Sequence, residues 1–581
     1  MFTNSSISWQ RPLNDPAPSV NPHPPLPAGG PHLLELLEES ATGRGVVQFV
    51  PDHPDTLSFA DLWRDSERAA RWLSSHVSEG GCVAAVLDSS PECLAAMVGA
   101  WRAGLTLASL PSSARGASST EYHAQIERIC HEVHAELLMV EHSASLPPTI
   151  AIRQISFQTC LGWASGGRTD AVGDFVQFTS GSTFSAKGVR LSLTAIASNI
   201  LAILEALGPA PGDNVCSWLP LSHDMGLIGL CLTPWVAASP AIAGAGTLCL
   251  IRPRAFLSGP SLWLTTCSEI GATITAAPSF AFGLAAKAMS RSASQLNLRP
   301  LRVCISGAET VDAGALREFA NTASGAGFND RAFCPAYGMA EATLAVTMVR
   351  PAEPWRSYKV EPVALASGQW VEDSAGRELV STGAPLAGMD VRINSGTDIG
   401  AVEIAGPSLL SGYVGRKGAE TTGDWFSTSD LGVMVDGQLI ITGRQDDLLI
   451  VGGRNLYADD IECIVNKQRG VRGANSVALT DYDDDRYVVV AEAYPRANLT
   501  EVCHQIRAAL IERIGAGPSS ITLISPGSMP RTPSGKLARH RVAAKRTSGD
   551  LSIMTHLDFR PKRSTPLNQA VQDSLPRGAL K

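Results

Sequence analysis

From Leu33 onward, helix-period and strand-like segments alternate along the chain. Phe59 to Val77 has helical spacing, Cys82 to Leu87 reads as a strand, and Pro91 to Ala103 is helical again. The same rhythm recurs at Ala272 to Ala276 (strand), Phe280 to Met289 (helix) and Leu301 to Ile305 (strand). Parallel strands need a long crossover, usually a helix, so this alternation predicts an α/β fold of layered, mainly parallel sheets. No solenoid-type repeat is present.

The texture changes near Leu439. A strand (Gln438 to Thr442), a polar break (Gly443 to Asp447) and a second strand (Leu448 to Val451) precede a shorter α/β block. That block has helices at Ala458 to Gln468 and Glu501 to Ile514, and strands at Ser476 to Leu479 and Tyr487 to Ala493. At 581 residues the chain exceeds one core. The expected organisation is a flexible segment over 1–30, a large N-terminal α/β body over 31–444, a small C-terminal α+β domain over 445–545, and a basic tail over 546–581. From Arg531 to Lys581 there are 11 Lys/Arg and 3 Asp/Glu, whereas the whole chain is at −8. That overall balance argues against nucleic acid as a partner. The 12 cysteines include no C-x-x-C pair, which argues against zinc and a disulfide framework and fits a reducing cytoplasm. Met225 to Ile251 is uncharged and long enough to cross a bilayer, but Pro234, Pro240, Gly244 and Gly246 interrupt it. It reads as buried core, with no transmembrane segment.

Six segments carry candidate chemistry. Phe175 to Phe178 leads into Thr179-Ser-Gly-Ser-Thr183 and on to Lys187 and Gly188. Backbone N–H groups, hydroxyls and an ammonium in such a loop can surround phosphate oxygens, although the G-x-x-x-x-G-K-[ST] spacing is absent. Trp218 to Gly226 carries His223, Asp224 and Met225. Ile305 to Val311 ends a strand at Gly307, where a planar ring could approach the backbone. Ala336 to Thr343 holds Tyr337, an aromatic to stack on a base, four residues from Glu341. Mg2+ takes few carboxylates plus phosphate oxygens, so Glu341 is a candidate ligand beside a phosphate loop. Ser427 to Gly432 places Asp430 to accept ribose hydroxyls, with Arg444 fourteen residues on. Pro530 to Lys536 presents a lysine on a Gly/Pro-braced loop.

The set resembles the adenylate-forming superfamily of acyl-CoA synthetases, adenylation domains and luciferases. The matches are Thr179–Gly188, Tyr337–Glu341, Ser429-Asp430, Gly443–Asp447 and Pro530–Lys536, in family order over residues 179 to 536. Phe184 and Ala186 depart from the usual Gly and Pro, and Ser429 from Gly. Within the superfamily the chain is similar to fatty acyl-AMP ligases, through Leu219–Leu227 and Ala336–Leu344. Ala340, which replaces the superfamily's Thr, agrees with this branch. A segment at about 350–388 is similar to the branch's insertion, thought to restrain the small domain and disfavour transfer to coenzyme A.

The resemblance implies ATP and Mg2+ as cofactors, and a mobile small domain. It assigns Thr179, Ser180, Gly181, Ser182, Thr183 and Lys187 to the triphosphate and Glu341 to Mg2+. Gly307, Ala308 and Tyr337 would frame the adenine, joined by Glu309, Ala336, Gly338 and Met339 of the same two motifs. Asp430 and Arg444 would hold the ribose. Lys536 would bridge carboxylate and α-phosphate; His223, with Asp224, Met225 and Gly307, would border the fatty acid. Asp446 would be the hinge. The implied acceptor is the phosphopantetheine arm of an acyl carrier protein; the +8 end reads either as a solvated tail or as a docking surface for such an acidic partner. An acyl-CoA synthetase or an amino-acid adenylation enzyme stays open as an alternative. So does a non-catalytic nucleotide-binding descendant, which the presence of Lys536, Asp430 and Glu341 argues against. Chain length, final metabolite and oligomeric state have no signature in these residues.

Overall fold

A computed structural model describes residues 32–51, 53–112, 119–141, 150–163, 173–178, 187–289, 295–415, 421–422, 424–451, 454–481, 486–531 and 537–560. The chain divides into two compact units, Met1–Leu448 with Pro530–Ala544, and Leu449–Met529 with Lys545–Lys581. The division after Leu448 lies one residue past the Gly443–Asp447 break, and the segment Pro530–Ala544 groups with the first unit.

Two sheets dominate the first unit. One has seven strands, in the order Gly412–Tyr413, Gly188–Ser192, Asp174–Phe178, Thr106–Ser109, Cys82–Ala85, Ala135–Val140 and Arg153–Ser156. Its last five are mutually parallel. The other has nine strands, with six parallel strands inside: Phe333–Gly338, Val303–Ser306, Ile274–Ala277, Asn214–Ser217, Thr247–Ile251 and Val46–Val50. Antiparallel strands close both of its edges. These strands are apolar almost throughout because helices cover both faces, as parallel sheets require. The helix Phe59–Ser74 shows why the periodicity was readable. Ser58 and Asp61 form a capping box at its start, and Phe59, Leu62, Ser66, Ala69 and Leu73 make its buried stripe.

The uncharged run from Met225 is largely buried, and the strand Thr247–Ile251 ends it. Its first part, Met225–Leu232, is a π-helix that continues into the helix Thr233–Ala237. Thr233 Oγ1 donates to the Ile228 carbonyl at 2.7 Å, an oxygen that also accepts the Thr233 N–H. Stretches of π-helix concentrate at functional sites.

The segment compared above with an insertion follows the strand Ala345–Met348 along the chain. It forms an antiparallel hairpin, Ser357–Val360 with Arg377–Val380, around a short helix Pro362–Ala366. Arg317, on the helix Ala313–Ala323, holds it. Its guanidinium donates to both Glu378 oxygens (3.0 and 2.5 Å) and to Ser357 Oγ (3.1 Å). This fork, aided by burial-opposed bonding to Ser357, keeps the Glu378 carboxyl down at about 2. A depressed carboxyl stabilises the fold above its ordinary range, and that contribution is lost as pH falls toward 2. Arg317→Met is therefore expected to free the hairpin at neutral pH, read as faster proteolysis between residues 361 and 376. Native resistance in the variant would contradict the anchoring role.

The second unit has its own core and a four-stranded sheet in the order Val471–Asp481, Arg486–Ala493, Ser520–Ile524 and Ile553–Asp558. The helices Ala458–Asn466 and Leu499–Ile514 belong to it. Ile553–Asp558 corrects the sequence reading of 546–581 as a tail. It pairs antiparallel with Ser520–Ile524 from Asp558 to Ile553, so backbone hydrogen bonding recruits a stretch whose polar neighbours masked its alternation. Residues 561–581 lie outside the described residues.

Candidate active site

The motifs share one topological position. The phosphate-loop segment follows the strand Asp174–Phe178, the His223 segment follows Asn214–Ser217, Gly307 follows Val303–Ser306, and Glu341 follows Phe333–Gly338. Each leaves the carboxyl end of a parallel strand, where open α/β sheets bind ligands. Thr179, Ser180, Gly181, Ser182, Thr183 and Lys536 lie outside the described residues.

Lys187 stands at the start of the returning strand Gly188–Ser192, its Nζ 5.5 Å from the centre of the Tyr413 ring. Tyr413 arrives by strand pairing, opposite Val189. Its hydroxyl donates to Glu341 Oε1 at 2.9 Å. Burial raises the proton affinity of Glu341, and Asp224 adds to this, while the Tyr413 bond and Lys187 oppose it. Lys187, Tyr413, Glu341 and Asp224 thus converge on one partly buried spot. Among the described residues no cluster of three metal-ligating side chains exists. A divalent ion at Glu341 would take its other oxygens from phosphate, which suits Mg2+.

His223 Nδ1 lies 2.5 Å from Asp224 Oδ1, and the Met225 N–H reaches the same nitrogen at 3.3 Å. The Met225 N–H also reaches Asp224 Oδ1, at 2.7 Å. Gln177, two residues before Thr179, donates from Nε2 to the Ser222 carbonyl at 2.7 Å. That bond links the strand feeding the phosphate loop to the His223 turn.

A second cluster comprises Tyr337, Asp430 and Arg444. The Tyr337 hydroxyl donates to Asp430 Oδ2 at 2.7 Å, and Arg444 Nε lies 3.3 Å from Asp430 Oδ1. Asp430 and Arg444 face each other across the antiparallel strands Trp425–Val435 and Gln438–Arg444. Thr428 Oγ1 accepts from the Asp430 N–H at 3.1 Å and fixes that turn of strand. Burial, then the Asp430 charge, push the Tyr337 phenol well above its usual range, so it remains a donor.

Gly307 and Ala308 run close beneath Ala336. A Cβ on Gly307 would stand 2.8 Å from the Ala336 carbonyl oxygen, and Ala308 has φ +67°. Only a residue without a side chain fits such an approach. Glu309 Oε1 accepts from the Phe280 N–H at 3.0 Å, at the start of the helix Ser279–Met289. Ala336, Gly338 and Met339 line the same strand end, while Asp446 is exposed in the short turn Gln445–Asp447. Tyr413, Thr428 and Gln177 were not among the sequence candidates.

An apolar cavity lies against the nine-stranded sheet, and none of the groups above is in its lining. Leu207, Val215, Gly229, Leu230, Ile274 and Ile305 are among its walls. Gly229 is six residues beyond His223 and Ile305 two before Gly307. Asp213, also in the wall, is neutralised by Arg302 at 2.5 Å.

Strand-end segments that carry Lys187, the buried Glu341 carboxylate and the Tyr337–Asp430–Arg444 cluster match the layout of an adenylate-forming enzyme. The AMP-binding enzyme model matches residues 37–414. The long-chain-fatty-acid–AMP ligase FadD23 of Mycobacterium tuberculosis is 29% identical over 568 residues, covering 88% of this chain and 94% of the relative. FadD26 of the same organism, another long-chain-fatty-acid–AMP ligase, is 33% identical over 405 residues, covering 63% and 68%. A structure from a study of fatty acyl-adenylate ligases of E. coli and L. pneumophila superposes with a TM-score of 0.81 at 26% identity, covering 91% of this chain and all of that one. The chain belongs to the AMP-binding enzyme family and, within it, to the fatty-acid–AMP ligases.

Proposed function

We propose that the protein activates a fatty acid with ATP and then passes the acyl group to the phosphopantetheine thiol of an acyl carrier protein. A carboxylate oxygen bonds to the α-phosphorus, the α–β phosphoanhydride bond breaks, and pyrophosphate leaves. The thiol sulfur then bonds to the acyl carbonyl carbon, the bond to the phosphate oxygen breaks, and AMP leaves while the thiol proton goes to solvent. Charge collects on phosphoryl oxygens in the first step, so fixed positive groups and positioning supply most of the rate.

In this reading Thr179 to Thr183 and Lys187 hold the triphosphate, and Glu341 would hold Mg2+, which screens phosphate charge when bound. Gly307, Ala308 and Tyr337 face the base. Asp430, oriented by Tyr337 and Arg444, accepts the ribose hydroxyls. His223 Nε2 faces the carboxylate region, with Asp224 fixing the ring. Lys536 joins the two anionic reactants, and Asp446 is the pivot that withdraws it before thiol attack.

The substrate class rests on the relationship to the long-chain-fatty-acid–AMP ligases, and the acyl chain is placed in the apolar cavity lined by Val215, Leu230, Ile274 and Ile305. The cavity has one acidic wall residue, already paired with arginine, and so no free carboxylate for an amino-acid ammonium. Val215→Phe, which adds a ring to its floor, is expected to lower kcat/KM for longer acyl chains by about tenfold while sparing short ones. A uniform loss across chain lengths would contradict the assignment. The whole reading is tested by incubating protein with ATP, Mg2+ and fatty acids, then identifying acyl-AMP by mass spectrometry. Coenzyme A and holo carrier protein are offered next. Acylation of the carrier protein alone is expected, and efficient acyl-CoA formation would favour the synthetase alternative.

A further inference from the structure

We infer that Thr343 is a positioning residue: a strained turn at this residue, buttressed by Asn199 and Ser408, sets the direction of the Glu341 carboxylate. The inference rests on Glu341 being the metal-side carboxylate. Thr343 has φ +67° and ψ −58°, and the Leu344 N–H donates across it to the Ala342 carbonyl at 2.8 Å. That is a γ-turn with positive φ, a rare and strained form. For a β-branched residue, positive φ is an outlier that persists only where the surroundings enforce it.

The surroundings are specific. Thr343 is fully buried, and its Oγ1 donates to the Ser408 carbonyl at 2.7 Å. Asn199, equally buried on the helix Leu193–Leu207, grips the next strand residue at both ends. It donates to the Ala345 carbonyl at 2.8 Å and accepts from the Ala345 N–H at 3.0 Å. The same side chain donates to Ser408 Oγ at 3.2 Å. The loop is closed at its neck, where the Met339 N–H donates to the Leu344 carbonyl at 2.8 Å. A Cβ on Gly338 would lie 1.8 Å from that carbonyl oxygen, so the neck tolerates glycine alone.

Everything in the network points at Glu341. Its carbonyl accepts from the Leu410 N–H at 2.8 Å, two residues beyond Ser408, and its carboxylate is met by Tyr413, three residues further. The segment 408–413 therefore braces both ends of the residue that faces Lys187. A relaxed turn at Thr343 would rotate the preceding peptide units and swing the carboxylate, because the loop is too short to absorb the change. Glycine accepts this φ without penalty, yet the position holds threonine, whose hydroxyl anchors the turn.

The test uses the full-length protein with Mn2+ and ATP and no fatty acid, reading bound Mn2+ by electron paramagnetic resonance alongside the melting temperature. Thr343→Gly removes strain and anchor together. It is expected to keep its melting temperature and weaken Mn2+–ATP binding about tenfold, the size seen when a ligand loses its outer support. Thr343→Ser keeps the hydroxyl and is expected to bind like the native protein. Should the glycine variant not fold, Thr343→Val breaks the anchor alone and is expected to weaken binding as well. Native binding in Thr343→Gly or Thr343→Val, or equal weakening in Thr343→Ser, overturns the proposal. Native binding in Glu341→Gln, measured in parallel, removes the metal assignment itself and the inference with it.

Discussion

Glu341→Gln is expected to lower kcat/KM for acyl-AMP formation by about 10²–10³-fold, the usual effect of removing one preorganised charge-stabilising group. The substitution keeps the shape and the Tyr413 hydroxyl contact but removes the charge beside Lys187. A pH signature accompanies it. Burial raises the Glu341 proton affinity in the folded protein, so the group favours folding at low pH, and this contribution is lost as pH rises through its raised pKa. A cation competes with that proton. The Mg2+ concentration needed for half-maximal rate should therefore increase as pH falls in the native protein and stay flat in Glu341→Gln. An unchanged rate, or the same pH slope in both proteins, would remove Glu341 from the machinery.

Lys536→Ala is expected to have an effect of similar or greater size, confined to the first half-reaction. Two anions must approach each other, and an ammonium about 4 Å from one of them contributes about 4 kcal/mol at an effective dielectric of 20. That corresponds to about 10³ in rate. Adenylation should fall by this factor, while transfer from preformed acyl-AMP to holo carrier protein proceeds at the native rate. A loss equal in both steps would mean that Lys536 supports folding or binding of the acyl-AMP, not the first chemical step. Asp446→Pro, which stiffens the proposed pivot, should show the reverse pattern.

The strand and helix positions that frame the site were legible because parallel sheets and their covering helices leave strong periodic signals. Cys82 to Leu87 contains the strand Cys82–Ala85, and Ala272 to Ala276 overlaps Ile274–Ala277, strands of the two large sheets. The chemical side chains were legible through short local motifs. Missing from that reading was everything brought in by pairing over distance. Tyr413 reaches Glu341 across 72 residues, and Asn199 reaches Ala345 across 146. Neither has a local pattern, since a tyrosine on a two-residue strand and an asparagine in an apolar helix look incidental in sequence. The π-helix at Met225–Leu232 was hidden for another reason: a run that is apolar all round has no period to read. The strand Ile553–Asp558 was lost in a basic, serine-rich stretch whose composition resembles a tail.

Carboxylate-dependent exchange of labelled pyrophosphate into ATP tests the central claim most directly, because it requires reversible formation of an acyl adenylate and nothing downstream. The account predicts exchange that depends on a fatty acid, rises with chain length until the pocket is filled, and disappears in Glu341→Gln and Lys536→Ala. Native protein that shows no exchange with any fatty acid from short to long, or exchange driven by amino acids instead, would contradict it.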